Sequence, residues 1–325
     1  MDNDDHILFA VKLDHNGGGT DLALEHVSEE IQSKNLSWVH MDATHDASRA
    51  WIEREVPYLD HLIIDALLAE ETSPRMIEHN NGVLLILRGI NLNENEAPED
   101  MVSLRIWIDP ERIISLQRRE LKAVKDVYGA LIKAKGPKNA GDFITMLLSR
   151  LYDRMEPTLI DLDNQLDDLE QKVMEEPSEL ERNDISQIRK KTIIFRRYIF
   201  PQREILNHLK RTEMEWLDLT QRRHIQESWD RVTRYIEDLD AIRERTMIVT
   251  EELNTFLSSG MNRNMYVLSI ISLIFLPLGF LTGLLGINVG GIPGADNPYA
   301  FALFLLILCG IILIQIAILK KSRWI

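Results

Sequence analysis

The feature that most constrains this chain is a pair of stretches without a single Asp, Glu, Lys, Arg or His. Met265 to Leu285 (MYVLSIISLIFLPLGFLTGLL) and Tyr299 to Leu319 (YAFALFLLILCGIILIQIAIL) are 21 residues each. A helix rises about 1.5 Å per residue, so about 20 apolar residues cross the hydrocarbon of a bilayer. Both stretches therefore read as transmembrane helices. A buried hairpin in a soluble core is the alternative, but cores rarely hold two uncharged runs of this length. After residue 264 the only charged residues are Asp296, Lys320, Lys321 and Arg323, so residues 1 to 264 carry a net charge of -16 out of the chain's -14. This partition excludes a soluble protein. It also excludes a disulfide scaffold, because Cys309 is the single cysteine and lies in an apolar run. The negative net charge argues against nucleic acid as a partner, whose phosphates it would repel.

The flanking charges predict orientation. Arg263 precedes the first span and Lys320, Lys321 and Arg323 follow the second, whereas the loop Gly286 to Pro298 has no Lys or Arg. The positive-inside rule places both chain ends in the cytoplasm and the loop outside. Tyr266, Tyr299 and Trp324 fall near the interfaces such a topology creates. The start, MDNDDHILF, is acidic and has no basic segment ahead of an apolar one, so no signal peptide is expected.

Residues 1 to 140 mix two periodicities and predict an α/β domain of the α+β kind. His6 to Leu13, Leu36 to Met41, Val83 to Ile90, Met101 to Ile108 and Ile113 to Gln117 are short, apolar and strand-like, and Asp109-Pro110 punctuates the last two as a turn. Ser48 to Glu55, Tyr58 to Glu70 and Glu120 to Lys135 have helical spacing. From residue 141 to 264 the signal is helical throughout. Leu159, Leu162, Leu166, Leu169 and Val173 step by 3 and 4, and Ser178 with Glu181 forms a capping box for a second helix, with a kink expected at Pro201. A third pattern runs from Trp229 through Val232, Ile236, Leu239, Ile242, Thr246, Val249, Leu253, Phe256 and Gly260 without a proline before Pro277. One helix of some 60 residues, roughly 90 Å, is expected to run from the cytoplasmic stalk into the first span. The expected divisions are thus 1–140, the stalk 141–264, a first span 265–285, an outer loop 286–298, a second span 299–319 and a basic tail 320–325.

The loop begins Gly286-Ile287-Asn288-Val289-Gly290-Gly291-Ile292-Pro293-Gly294. Non-helical backbone at this depth is tolerated where protein or a water-filled cavity satisfies it. A Gly-Ile-Asn triplet closing the first of two C-terminal spans, after a long stalk helix and an acidic α/β domain, resembles the CorA superfamily of divalent-cation transporters, whose signature here is Gly-Met-Asn. Ile287 in place of Met, the Val-Gly-Gly-Ile-Pro-Gly continuation, Ser73-Pro74-Arg75, Phe280-Leu281-Thr282-Gly283 and the closing Lys321-Ser322-Arg323-Trp324 are similar to its ZntB-like zinc-transporter branch.

The resemblance implies a homopentameric funnel in the lipid bilayer of the cell inner membrane, an axial pore lined by the first spans, and inward movement of Zn2+ with protons. It implies no resident cofactor, with Zn2+ as cargo, and a transporter rather than an enzyme. Gly286, Ile287 and Asn288 would form the selectivity filter; in a five-fold ring Asn288 would present dipoles to a hydrated dication. An Asn that merely ends a helix is the competing reading. Met265, Leu268, Ser272, Leu276, Gly279 and Gly283 share one face by steps of 3 and 4 and are the expected pore lining, although Gly and Ser also mark helix packing. No carboxylate or imidazole lies in either span, so a dehydrated tetrahedral Zn2+ site there is not expected.

Two cytoplasmic groups have chemistry to spare. His40, Asp42, His45 and Asp46 offer metal-ligand types within seven residues, as either a regulatory zinc site or helix-capping polar groups. The run Asp161, Asp163, Asp167, Asp168 and Glu170 is either a solvated face or an acidic counterpart to Lys320, Lys321 and Arg323, which would then act as gating charges at the pore exit. Divalent-cation transport, zinc first and magnesium or cobalt second, is the expected function; a membrane-anchored sensor or scaffold is the alternative of another class.

Overall fold

The structure is a computed structural model of the whole chain. It describes residues 6–70, 72–175, 177–287, 294 and 297–322. The elements run β1 (Ile7–Leu13), β2 (Gly19–Asp21), α1 (Leu24–Gln32), β3 (Ser37–Asp42), α2 (Ala47–Glu55), α3 (His61–Leu68), β4 (Arg75–His79), β5 (Gly82–Gly89), β6 (Val102–Ile108), β7 (Arg112–Gln117), α4 (Lys122–Ile132), α5 (Ala140–Glu175), α6 (Glu181–Leu209), α7 (Leu219–Gly286) and α8 (Ala300–Lys321). They divide into two compact units, Met1–Glu251 and Glu252–Ile325, with the division falling inside α7.

In the first unit the strands form one sheet in the order β2-β1-β3-β7-β6-β5-β4. Only β3 and β7 pair in parallel; the other neighbours are antiparallel. Side chains alternate across a strand, and both faces of this sheet are covered. Val39 and Met41 of β3 join Ile114 and Leu116 of β7 and the apolar faces of α1, α2 and α3 in one core. On the opposite face Trp38 meets Phe143 of α5 edge-on, with ring centroids 4.8 Å apart. Double coverage explains why β5 to β7 read as nearly continuous apolar runs. The β6–β7 turn is set by Asp109, whose Oδ1 accepts from the amides of Glu111 and Arg112 at 2.9 Å each.

Three elements were not expected. β2 is three residues following a glycine run, β4 (RMIEH) shows little apolar alternation, and α1 buries only Val27 and Ile31. The β4–β5 turn is carried by Asn80, which adopts a left-handed φ of 51°; asparagine tolerates this because its short polar side chain bonds locally.

The helical part follows its seam. Leu159, Leu162, Leu166, Leu169 and Val173 of α5 are buried, as are Val232, Ile236, Leu239, Ile242, Thr246 and Val249 of α7. Glu181 Oε2 accepts from the Ser178 amide at 2.9 Å and from its hydroxyl at 2.6 Å, which is one half of the expected capping box; the N-cap of α6 is instead Leu180, without a side-chain cap bond. Both α6 and α5 continue through an internal proline, Pro201 and Pro157 respectively.

Candidate functional site

The C-terminal unit contains the last part of α7 and all of α8, the two helices long and apolar enough to cross a membrane. Most of their large apolar side chains are exposed, including Met265, Leu268, Phe275, Leu276 and Phe280 on α7 and Phe301, Leu306 and Leu313 on α8. In water such a surface would be unfavourable; in hydrocarbon it costs nothing.

The few half-buried positions are informative because they form stripes. On α7 they are Ile270, Ile274, Pro277, Leu278 and Leu281, and on α8 Ala300, Phe304, Leu308, Gly310, Ile311, Ile312, Gln315 and Leu319, the last fully buried. A hydrogen bond from Gln315 Nε2 to the Leu273 carbonyl, 3.1 Å, joins the two helices. At about 100° per residue, the α7 stripe occupies an arc of about 100°, and Met265, Leu268, Ser272, Leu276, Gly279 and Gly283 occupy an arc of about 80° whose centre lies about 170° away. The six residues expected to line a pore thus share the side of α7 turned away from α8. All six are exposed. The Ser272 hydroxyl donates to the Leu268 carbonyl of its own helix at 2.9 Å, leaving its oxygen lone pairs outward.

α7 ends on Gly286, and Ile287 follows it as an exposed bend residue. Asn288, the chemical centre of the triplet, lies outside the described residues, as do Arg323, Gly290, Gly291 and Asp296. Lys320 and Lys321 occupy the exposed last turn of α8, where the helix dipole favours positive charge, and neither makes an ion pair among the described residues.

The cytoplasmic ligand set is not assembled into a metal centre. Among the described residues no three His, Cys, Asp or Glu side chains come together to hold a metal. Strand alternation turns His40 into the sheet interior, where its Nδ1 lies 2.8 Å from Ser115 Oγ, which also accepts from Trp38 Nε1 at 2.7 Å. Burial pushes the His40 pKa down to about 4. Asp42 Oδ1 accepts from the amide and the hydroxyl of Thr44, and His45 Nδ1 accepts from the Ala47 amide. Asp46 stands at the start of α2 without a side-chain cap bond. Local backbone satisfaction, the alternative weighed above, is what Asp42 and His45 do.

The acidic run is likewise largely accounted for within the first unit. Arg245 of α7 bonds Asp163 at 2.8 Å, Glu170 at 2.7 and 2.9 Å, and Asp167. Glu170 first, then Asp167, raises the Arg245 pKa above its ordinary value. Asp161 accepts from Gln165. Sequence reasoning overlooked Arg245, and it overlooked Gln315, although a lone amide in an apolar span opposite a proline was a readable signal.

Comparisons with known proteins agree with this organisation. A family model described as CorA-like Mg2+ transporter protein matches residues 33–321. The chain is 35% identical over 315 residues to the zinc transport protein ZntB of Pectobacterium atrosepticum, covering 97% of this chain and 95% of that one. It is 36% identical over 321 residues to the divalent cation transporter CmaX of Pseudomonas aeruginosa, covering 98% and 96%. The solved structure of the full-length CmaX protein superposes with a TM-score of 0.87 at 36% identity, over 99% of both chains.

Proposed function

The chain belongs to the CorA-like family of membrane transporters for divalent metal cations, and on that premise we propose that its cargo is Zn2+, taken up into the cytoplasm across a bacterial inner membrane. The reading extends to a homopentamer whose α7 helices surround one axial pore, with both chain ends cytoplasmic and with proton coupling. Zn2+ is cargo in this scheme, and the chain carries no resident cofactor.

One observation carries the proposal: the side of α7 opposite α8 is exposed among the described residues, and it ends at Gly286 and Ile287, next to Asn288 in the sequence. If that side faced lipid, its hydroxyl and two glycines would have no task; around a shared axis they leave room and weakly polar oxygen. The face provides Ser272 Oγ and no carboxylate or imidazole, so nothing on it replaces the ion's water shell with tetrahedral ligands. A hydrated dication held by Asn288 amide dipoles binds weakly enough to leave. Leu268 and Leu276 then act as apolar constrictions that close by dewetting.

Ile287 and the non-acidic continuation of the loop support zinc over magnesium, and so does the name of the ZntB relative. Purified protein in liposomes tests this: zinc entry accelerated by a proton gradient is expected. Magnesium entry without zinc entry would overturn the cargo, and entry of neither would overturn transport.

A further inference from the structure

Pro277 sits inside α7, nine residues before its end at Gly286, and a proline has no backbone N–H. In an α-helix the amide of residue 277 would bond the carbonyl of residue 273. Without another donor the Leu273 carbonyl would be orphaned inside the span, and an unsatisfied backbone group in hydrocarbon is costly. Gln315 Nε2 of α8 donates to that carbonyl, at 3.1 Å. The coincidence is chemically specific. Gln315 is the one side-chain amide in the second span, and the atom it reaches is the one that Pro277 leaves without its helical donor.

The arrangement is not a device for net stability. Gln315 Oε1 is enclosed and has no hydrogen-bond partner among the described residues. Burying an amide with half its capacity unused costs more than an apolar side chain would. Alanine at 277 with leucine at 315 would satisfy every backbone group and leave no orphan. A polar group retained inside a span against its own cost marks function. Leu276, on the expected pore face, immediately precedes Pro277, while Pro277 itself lies on the stripe turned toward α8.

We propose that Gln315 is a positioning residue for the ion pathway: its amide replaces the donor missing at Pro277 and fixes the pore helix against the outer helix at the depth of Leu276. The proposal rests on the reading of α7 as the pore helix. The bond replaces a rigid intrahelical link by one that spans two helices, so a shift of either helix is transmitted to the constriction.

The test is a cycle of Gln315→Leu, Pro277→Ala and the double variant in the full-length protein, read by zinc flux in liposomes and by thermal unfolding in detergent. Loss of one hydrogen bond within a span is about a tenfold change in a conformational equilibrium. Gln315→Leu is expected to lower maximal zinc flux about tenfold with an unchanged half-saturating concentration, and to lower the melting temperature. Introduced beside Pro277→Ala, which restores the amide to Leu273, the same step should change flux by less than about twofold. Equal losses in both backgrounds would overturn the proposal, because Gln315 would then act through its volume. A melting-temperature cycle that shows the rescue while Gln315→Leu leaves flux untouched would overturn the positioning role. Wild-type liposomes that move no cation at all would instead remove the pathway reading itself, and the thermal cycle would still report on the bond.

Discussion

The two units of this chain answer the same physical demand in opposite ways. Up to Glu251 the chain covers its own apolar surface: the sheet is covered on both faces, the helical seam is closed, and Arg154, Arg196, Arg231 and Arg245 each hold a carboxylate on another helix. From Glu252 onward it satisfies little, burying Leu253 and Leu319 and leaving most of its large apolar side chains uncovered. The first unit's fold is written in contacts within one chain. The second unit's fold depends on what surrounds it, lipid on some sides and, in the proposed pentamer, four further copies on others. Core substitutions in the first unit should register chiefly in stability, and substitutions on the proposed pore face of the second chiefly in flux.

The largest effect belongs to the second unit. Asn288→Ala should reduce zinc flux to the level of empty liposomes while leaving the melting temperature and the oligomer size unchanged. Full flux with Ala at 288 would show that this Asn only ends the helix.

Next comes a matched pair of leucines. Leu166 of α5 is completely buried, whereas Leu276 of α7 is 77% exposed. Leu166→Ala should cost about 2–5 kcal/mol of unfolding free energy, from lost transfer and a residual cavity, with flux per folded molecule unchanged. Leu276→Ala should stay within about 0.5 kcal/mol and raise basal flux by widening a constriction. A destabilised Leu276→Ala protein with normal flux would place that side chain in helix packing and break the proposed pore face.

A smaller effect of the first unit is pH-dependent. His40 is buried and its pKa is depressed to about 4 by that burial, against an ordinary value of 6.5. The folded chain therefore holds a neutral imidazole that the unfolded chain would protonate. This contribution is intact above about pH 6.5 and is lost progressively as the pH falls toward 4, by on the order of 3 kcal/mol. Urea unfolding of full-length protein in detergent across that range should steepen with acid, and His40→Asn should flatten the curve. An unchanged slope would mean that His40 titrates like a solvated histidine.

Legibility from the sequence differed between the same two units. The spans, β1, β3, β5 to β7, the α5 and α7 seams and the Ser178–Glu181 contact ahead of α6 could be read because each depends on local periodicity or a fixed spacing. β2, β4 and α1 could not, since three residues, a weakly alternating edge and a helix with two buried residues carry too little pattern. The His40 to Asp46 group misled for a related reason. Closeness in sequence suggested convergence, but alternation along β3 sent His40 inward while Asp42 and His45 turned to neighbouring amides. On α7 the face proposed to line the pore is a 3–4 pattern in the sequence. Its direction became legible only once the stripe around Ile274 and Leu278 showed where α8 lies.

The smallest effect tests whether the two units communicate through charge. Arg245 is 32% exposed, and its partners Asp163, Asp167 and Glu170 are 50%, 59% and 26% exposed, so solvent screens all three pairs. Arg245→Met should cost about 1 kcal/mol or less in low salt, with most of that loss gone at 0.5 M salt, where the Debye length falls to about 4 Å. The variant also releases three carboxylates that Arg245 now holds. If those carboxylates act only within the first unit, Arg245→Met and the Lys320→Gln, Lys321→Gln pair should change zinc flux independently, their effects multiplying. If the released carboxylates instead reach the basic end of α8, the combined variant should depart from that product by more than about twofold. Additive behaviour would remove the acidic run from gating; a coupled response would make Arg245 the residue that withholds it.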